Sequence, residues 1–285
     1  MNILYCGDVG VVRGVLISIL SLLKYNPDET ISFYIMTIDG RKVADDVDAR
    51  VRGVRPFPTH SVEFLDTLVK KTNSKNSVTL IDATEIFVKD LPSKNMGSYF
   101  TPCSMLRLYL DQVPELAELD RILYLDYDVM CRGAITEFYN MNLDGVEAAG
   151  VLDIYGRHFY HYHGLFNDDY MNSGVMLFNV RLCRETKMLA RARALCQKRW
   201  MMLADQAALN KSITHRKLVP RKYNEQGERP RKDTVLHHFS NNFKFWPYFH
   251  VQKVKPYDIE RVHSVLQIYE YDDIFDEYEK LKDKL

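Results

Sequence analysis

The stretch Ile122-Leu123-Tyr124-Leu125-Asp126-Tyr127-Asp128-Val129-Met130 runs a buried-strand pattern straight into two carboxylates. In an extended chain residues i and i+2 face the same side. Asp126 and Asp128 therefore aim at one point just beyond the end of a strand, and Tyr127 between them turns the other way. Two like charges held together call for a cation between them. In open α/β sheets that point, outside the carboxyl ends of the strands, is where ligands bind. A divalent cation suits paired carboxylates, and such a cation in turn suits a diphosphate. Read alone, Asp-x-Asp fits two solvated aspartates at a loop start equally well.

Working outward, the N-terminal pattern supports a doubly wound sheet. Ile3 to Cys6 reads as a short buried strand, Gly7 to Gly10 as a turn, and Val11 to Lys24 as an apolar helix stopped by Asn26-Pro27. Ile31 to Ile38 is rich in β-branched and aromatic residues and reads as a second strand. Strand, helix, strand opens a parallel sheet. Further strands are expected at 78–84, 121–126, 147–152, 173–179 and 234–239, with an edge strand at 217–224. Residues 85–103 read as a loop region. Helices are expected from Cys103 to Leu110, from Val180 to Trp200 and from Leu203 to Ile213. Residues 258–285 are acidic, aromatic and helical in pattern. One domain over 1–257 with a C-terminal helical extension over 258–285 is the simplest partition.

Composition narrows the function classes. The 285 residues carry 38 basic and 38 acidic side chains, so no global field draws the chain to nucleic acid or an anionic membrane. Five cysteines show neither a C-x-x-C pair nor a disulfide framework, which fits a reducing cytoplasm. The chain enters a strand at once, so we expect no signal peptide. Its longest apolar run, Val15 to Leu23, is far short of the ~20 residues of a membrane span. The basic segment from His215 to Lys232 reads either as a solvated loop or as a patch for an anionic surface. That leaves the cytoplasm, with contact to the inner membrane face at most peripheral, as the expected location.

A second chemical signal lies in Leu236-His237-His238-Phe239-Ser240-Asn241-Asn242-Phe243-Lys244-Phe245-Trp246. A strand ending in histidine can offer an imidazole to the same cation as the aspartates. Two carboxylates and one imidazole suit Mn²⁺ better than Ca²⁺. Equally, the histidines can simply cap a strand and Lys244 can be a surface lysine. Further motifs join these in order. They are Cys6-Gly7-Asp8 after the first strand, Met105-Leu106-Arg107-Leu108, Asn172-Ser173-Gly174-Val175, and Asp205-Gln206 followed by Asn210.

Together these motifs resemble the retaining glycosyltransferases of family 8, bacterial galactosyl- and glucosyltransferases related to glycogenin, over residues 1 to about 257. The resemblance implies a GT-A type fold, an α/β Rossmann-like mixed sheet flanked by helices. It implies Mn²⁺, or Mg²⁺ in its place, held by Asp126, Asp128 and His238. It implies UDP-galactose or UDP-glucose as donor and a glycan, glycolipid or glycoprotein as acceptor. On the nucleotide side it implies Cys6, Gly7, Asp8 (to uracil), Tyr127 and Lys244 (to the diphosphate). Around the sugar it implies Arg107, Asp153, Asn172 and Ser173, with Asp205 on a hydroxyl and Gln206 beneath the anomeric carbon.

Each of these also has a plain reading: a surface arginine, turn formers at Asp153 and Asn172, a surface amide at Gln206, and a helix cap at Asp8. The chain departs from the family pattern at Val9-Gly10, at Ala207, at Asn241 in place of glycine and at Phe245 in place of proline. These departures leave the donor preference and the base contacts open. Same-face attack is expected, with double displacement through Gln206 or a nearby carboxylate as the competing route. The competing functions are a catalytically degenerate UDP-sugar-binding module and a nucleotidyltransferase. Against the latter stands the lack of a glycine-rich phosphate loop in Gly7-Asp8-Val9-Gly10.

Overall fold

The computed structural model describes residues 1–96, 101–156, 169–244 and 250–285. Its centre is a seven-stranded mixed sheet in the order β3-β2-β1-β4-β7-β6-β8, where β1 is Asn2–Cys6, β2 Ser32–Thr37, β3 Ser77–Asp82, β4 Arg121–Leu125, β6 Ala148–Leu152, β7 Met171–Asn179 and β8 Arg216–Leu218. The pairings β1–β2, β2–β3, β1–β4 and β6–β8 are parallel, and β7 pairs antiparallel with both β4 and β6. β7 alone runs against the rest. The parallel strands β1, β2 and β3 are those expected from the N-terminal pattern, and the mixed Rossmann-like sheet is the one the family resemblance implies.

Period-two alternation explains the two cores. Ile3 and Tyr5 of β1 and Leu123 and Leu125 of β4 enter one hydrophobic cluster. Leu4, Cys6, Ile122 and Tyr124 enter the other, on the opposite face of the sheet. The helix α1 (Val12–Tyr25) covers the first face with Val15, Leu16, Ile19 and Leu22. The 3₁₀ helix Pro102–Tyr109 and the helices Met188–Lys198 and Ala204–Ser212 cover the second. Each aliphatic side chain buried in this way contributes about 1.5–3 kcal/mol relative to exposure.

Several elements differ from their sequence reading. The helix expected over Val180 to Trp200 is two helices, Val180–Glu185 and Met188–Lys198, because Lys187 adopts a left-handed φ of 56°. Residues 85–103 are not simply loop, since Thr84–Lys89 forms a helical turn and a half that buries Phe87. The edge strand ends at Leu218, and Pro220 opens a 3₁₀ turn, Arg221–Tyr223, instead. The last expected strand shortens to β9 (Leu236–His238). It pairs not with the main sheet but with β5 (Val129–Cys131), in a two-stranded antiparallel ribbon.

A second ribbon joins β10 (Asn242–Lys244) to β11 (His250–Gln252). Beyond it, Val262, Leu266, Ile268, Tyr271, Ile274, Phe275, Tyr278 and Leu281 join the cluster under α1. Among the described residues no helix is long and apolar enough to cross a membrane.

Candidate active site

The strand order reverses between β1 and β4, and ligands bind at the carboxyl side of such a switch point. Cys6-Gly7-Asp8 leaves β1 there and Asp126 leaves β4 there. Because β7 is antiparallel, its beginning, Asn172-Ser173-Gly174, lies at the same edge. Asp126 N–H donates to Gly174 O at 2.8 Å, stitching the two together. Asp153 follows β6 at the same rim, and its N–H donates to Tyr170 O at 2.8 Å.

Asp126, Asp128 and His238 each present a ligand atom within 4.8 Å of the others. His238 Nε2 stands 3.3 Å from Asp128 Oδ1 and 3.6 Å from Asp126 Oδ2. Asp128 is buried, and its Oδ1 has no hydrogen-bond donor. A desolvated carboxylate oxygen without a partner is costly, and here it faces the imidazole and the second carboxylate. Beneath them lies Gly174, where a Cβ would come within 2.3 Å of His238 Cε1 and 2.7 Å of Asp126 Oδ2. The orphaned oxygen, the mixed O/N donor set and the tight floor together fit a divalent cation.

Strand alternation separates the two histidines. His238 faces the acids, whereas His237 turns into the core, with Nδ1 3.0 Å from Tyr271 Oη and Nε2 3.0 Å from Gly227 O. Burial lowers the His237 pKa to about 3. Burial also opposes charge on His238, but Asp128 and Asp126 outweigh it and raise its pKa. Asp128 is penalised by burial, yet Lys255 and His238 hold it well below the usual carboxylate range.

Arg107 is not at a helix surface. It is buried, donating to Asp126 Oδ1 at 2.9 Å and to Ser173 O at 2.7 Å. Its Nε lies 3.3 Å from Asp205 Oδ2, and its guanidinium sits 4.0 Å from the Tyr124 ring centre. Tyr124 Oη donates to Asp126 Oδ1 at 2.6 Å. Burial raises the Asp205 pKa against the pull of Arg107.

Gln206 is buried as well, donating through Nε2 to Asp153 Oδ2 at 2.8 Å and accepting from Ser173 N at 3.0 Å. Asp153 also accepts from Tyr155 N at 2.9 Å, Gly156 N at 2.6 Å and Asn172 Nδ2 at 3.2 Å. Asn210 braces this floor by donating to Met171 O at 2.8 Å.

On the nucleotide side, Asp8 caps the turn after β1, accepting from Gly10 N at 2.9 Å. Gly7 is required by packing, since a Cβ there would come within 2.1 Å of Val11 Cγ2. Cys6 is a buried thiol whose pKa burial pushes up. Tyr127 packs away from the acids, over Gly14 of α1 and 6.5 Å from the Tyr257 ring. Lys244 ends β10. Its side chain, together with Phe245 and Trp246, lies outside the described residues.

Two site residues escaped the sequence reading. Lys255 donates to Asp128 Oδ2 and, at 3.1 Å, to Phe239 O. Burial disfavours its charge, but Asp128 more than compensates and raises its pKa. Asn224, fully buried, bridges His238 and Asn172. Lys255 stands in Lys253-Val254-Lys255-Pro256, where nothing local distinguishes it from Lys253.

The chain is 28% identical over 227 residues to a lipopolysaccharide 1,2-glucosyltransferase of Escherichia coli, covering 74% of this chain and 58% of that protein. It is 28% identical over 151 residues to a lipopolysaccharide 1,3-galactosyltransferase of Salmonella typhimurium strain LT2, covering 53% of this chain and 38% of that one. The chain thus spans less than two thirds of the length of these relatives. Among solved structures, the galactosyltransferase LgtC in complex with donor and acceptor sugar analogs superposes with a TM-score of 0.68 at 15% identity, over 100% of both chains. An active-site mutant of LgtC gives a TM-score of 0.70 at 16% identity, again over 100% of both. At such identity these superpositions establish the GT-A fold. The family model described as "Glycosyl transferase family 8" matches residues 2–249, and the chain belongs to that family.

Proposed function

We propose that the chain moves galactose or glucose from a UDP-sugar to a hydroxyl of a glycan acceptor, with retention at the anomeric carbon. The observation that carries this reading is the convergence of Asp126, Asp128 and His238 at the switch point of the sheet, with ligand atoms within 4.8 Å of one another. Asp126, Asp128 and His238 would hold Mn²⁺, or Mg²⁺, which when bound supplies Lewis acidity for a departing diphosphate. The named activities of the lipopolysaccharide relatives favour a hexose donor and a glycolipid or other glycan acceptor.

The remaining residues account for retention. Below the sugar, Asp153 accepts four hydrogen bonds, so its oxygens are committed to Gln206, Asn172 and the backbone of Tyr155 and Gly156. Gln206 carries a neutral amide whose two ends are both engaged. Neither is an activated nucleophile. Same-face attack then serves best. The acceptor oxygen bonds to the anomeric carbon as the bond to the diphosphate oxygen breaks, and the acceptor's proton passes to a leaving phosphate oxygen. Arg107 and Asp205 would hold sugar hydroxyls, and Lys244 would add charge at the diphosphate.

A panel of sugar nucleotides incubated with the protein and Mn²⁺, read as UDP release, tests the proposal. Release from UDP-galactose or UDP-glucose that chelation abolishes is expected. No release from any UDP-sugar would overturn it.

A further inference from the structure

Asn224 has no exposed surface and lies between the candidate metal centre and the sugar floor. Its Oδ1 is 3.2 Å from His238 Nδ1, and its Nδ2 is 2.9 Å from Asn172 Oδ1. The directions of these bonds follow from groups whose roles are chemically fixed. The backbone N–H of Ser173 can only donate, so Gln206 turns its oxygen toward it, at 3.0 Å, and its nitrogen toward Asp153 Oδ2, at 2.8 Å, where Asn172 Nδ2 also lies, at 3.2 Å. The backbone N–H of Gly174 can only donate, so Asn172 must turn its oxygen toward it, at 3.0 Å. That oxygen then leaves Asn224 only the donor's part. With its nitrogen committed to Asn172, Asn224 presents its oxygen to His238. An oxygen beside Nδ1 requires a hydrogen on Nδ1.

We propose that Asn224 is the positioning residue that fixes His238 in the Nδ1–H tautomer, so that Nε2 presents its lone pair toward Asp126 and Asp128. The same amide makes the metal centre and the sugar floor one connected unit: His238, Asn224, Asn172, Asp153, Gln206. A hydrogen-bond partner on the far nitrogen of a metal-binding histidine orients the ring and raises its basicity, and its loss typically costs 10–100-fold in metal affinity. The inference deepens the reading of Asp126, Asp128 and His238 as ligands and rests on it.

The test is Mn²⁺ binding without any donor, followed by electron paramagnetic resonance of the free ion, in the wild type, Asn224→Leu and Asn224→Asp. Asn224→Leu removes the acceptor and should weaken binding at least tenfold. Asn224→Asp keeps an acceptor for Nδ1–H but cannot donate to Asn172. It should bind Mn²⁺ within threefold of wild type, or more tightly, while sugar transfer falls at least tenfold. This split between binding and turnover is one that a purely structural residue would not produce. Thermal unfolding of each variant identifies a folding defect, and Asn224→Asp, nearly identical in shape, decides the matter if Asn224→Leu does not fold. Equal binding by wild type and Asn224→Leu overturns the inference alone, as does loss of binding in Asn224→Asp. Absence of Mn²⁺ binding in the wild type overturns the ligand assignment itself.

Discussion

Gly174 shows how little room the site leaves at the scale of one residue. Any side chain there meets His238 and Asp126 well inside contact distance. Gly174→Ala should therefore displace a ligand, and Mn²⁺ affinity should drop at least tenfold while far-UV circular dichroism stays unchanged. Unchanged affinity would mean that the cation does not sit over this floor. The two aspartates were legible in the sequence because strand alternation aims them together from a local pattern, and the same alternation sets His238 apart from its buried neighbour His237. Arg107, by contrast, could have been a surface arginine. Only the packing of the 3₁₀ helix onto the sheet carries it to Asp126 and Asp205. Asn224 and Lys255 were illegible for a similar reason: Asn224 follows the 3₁₀ turn Arg221–Tyr223 where an edge strand was expected, and Lys255 reaches Asp128 from an irregular segment after β11.

At the scale of elements, the strands of the N-terminal half were readable because each is an apolar run of the right length. The breaks were not. Nothing in the amphipathic stripe from Val180 to Trp200 marks the left-handed turn at Lys187. The ribbon of β5 and β9 lies outside the main sheet, and a strand's partner is a tertiary property.

That ribbon also carries His237, held neutral between Gly227 and Tyr271. Here the sign of the pH dependence can be worked out. The folded imidazole resists protonation down to about pH 3, whereas in the unfolded chain it takes a proton near about 6.5. Below about 6.5 the unfolded state binds the extra proton, so this contribution to stability is lost as pH falls, at up to about 1.4 kcal/mol per pH unit. Urea unfolding at pH 6.5 and pH 5.0 should show a shallower pH dependence for His237→Gln than for wild type. Equal slopes would show that His237 titrates normally.

Across the whole molecule, one antiparallel strand explains why distant segments share a site. Reversing β7 brings its beginning to the edge where β1, β4 and β6 end. The basic segment from His215 to Lys232, open in sequence between a surface patch and a solvated loop, is largely tied into the fold. Arg221 and Arg231 flank buried Glu225, Arg216 donates to Asn210 O at 2.6 Å and to Ile213 O at 2.8 Å, and Lys222 pairs with Glu137. The C-terminal residues share the core beneath α1, and Lys255 carries that side of the molecule to Asp128.

The central claim is that Asp126, Asp128 and His238 hold one divalent cation beside a nucleotide diphosphate. Pulsed electron paramagnetic resonance of Mn²⁺ in the protein with UDP tests it most directly. The account predicts a coupling to one histidine nitrogen, lost in His238→Gln, together with coupling to the phosphorus of UDP. A Mn²⁺ signal with no nitrogen coupling, or one unchanged in His238→Gln, would contradict it.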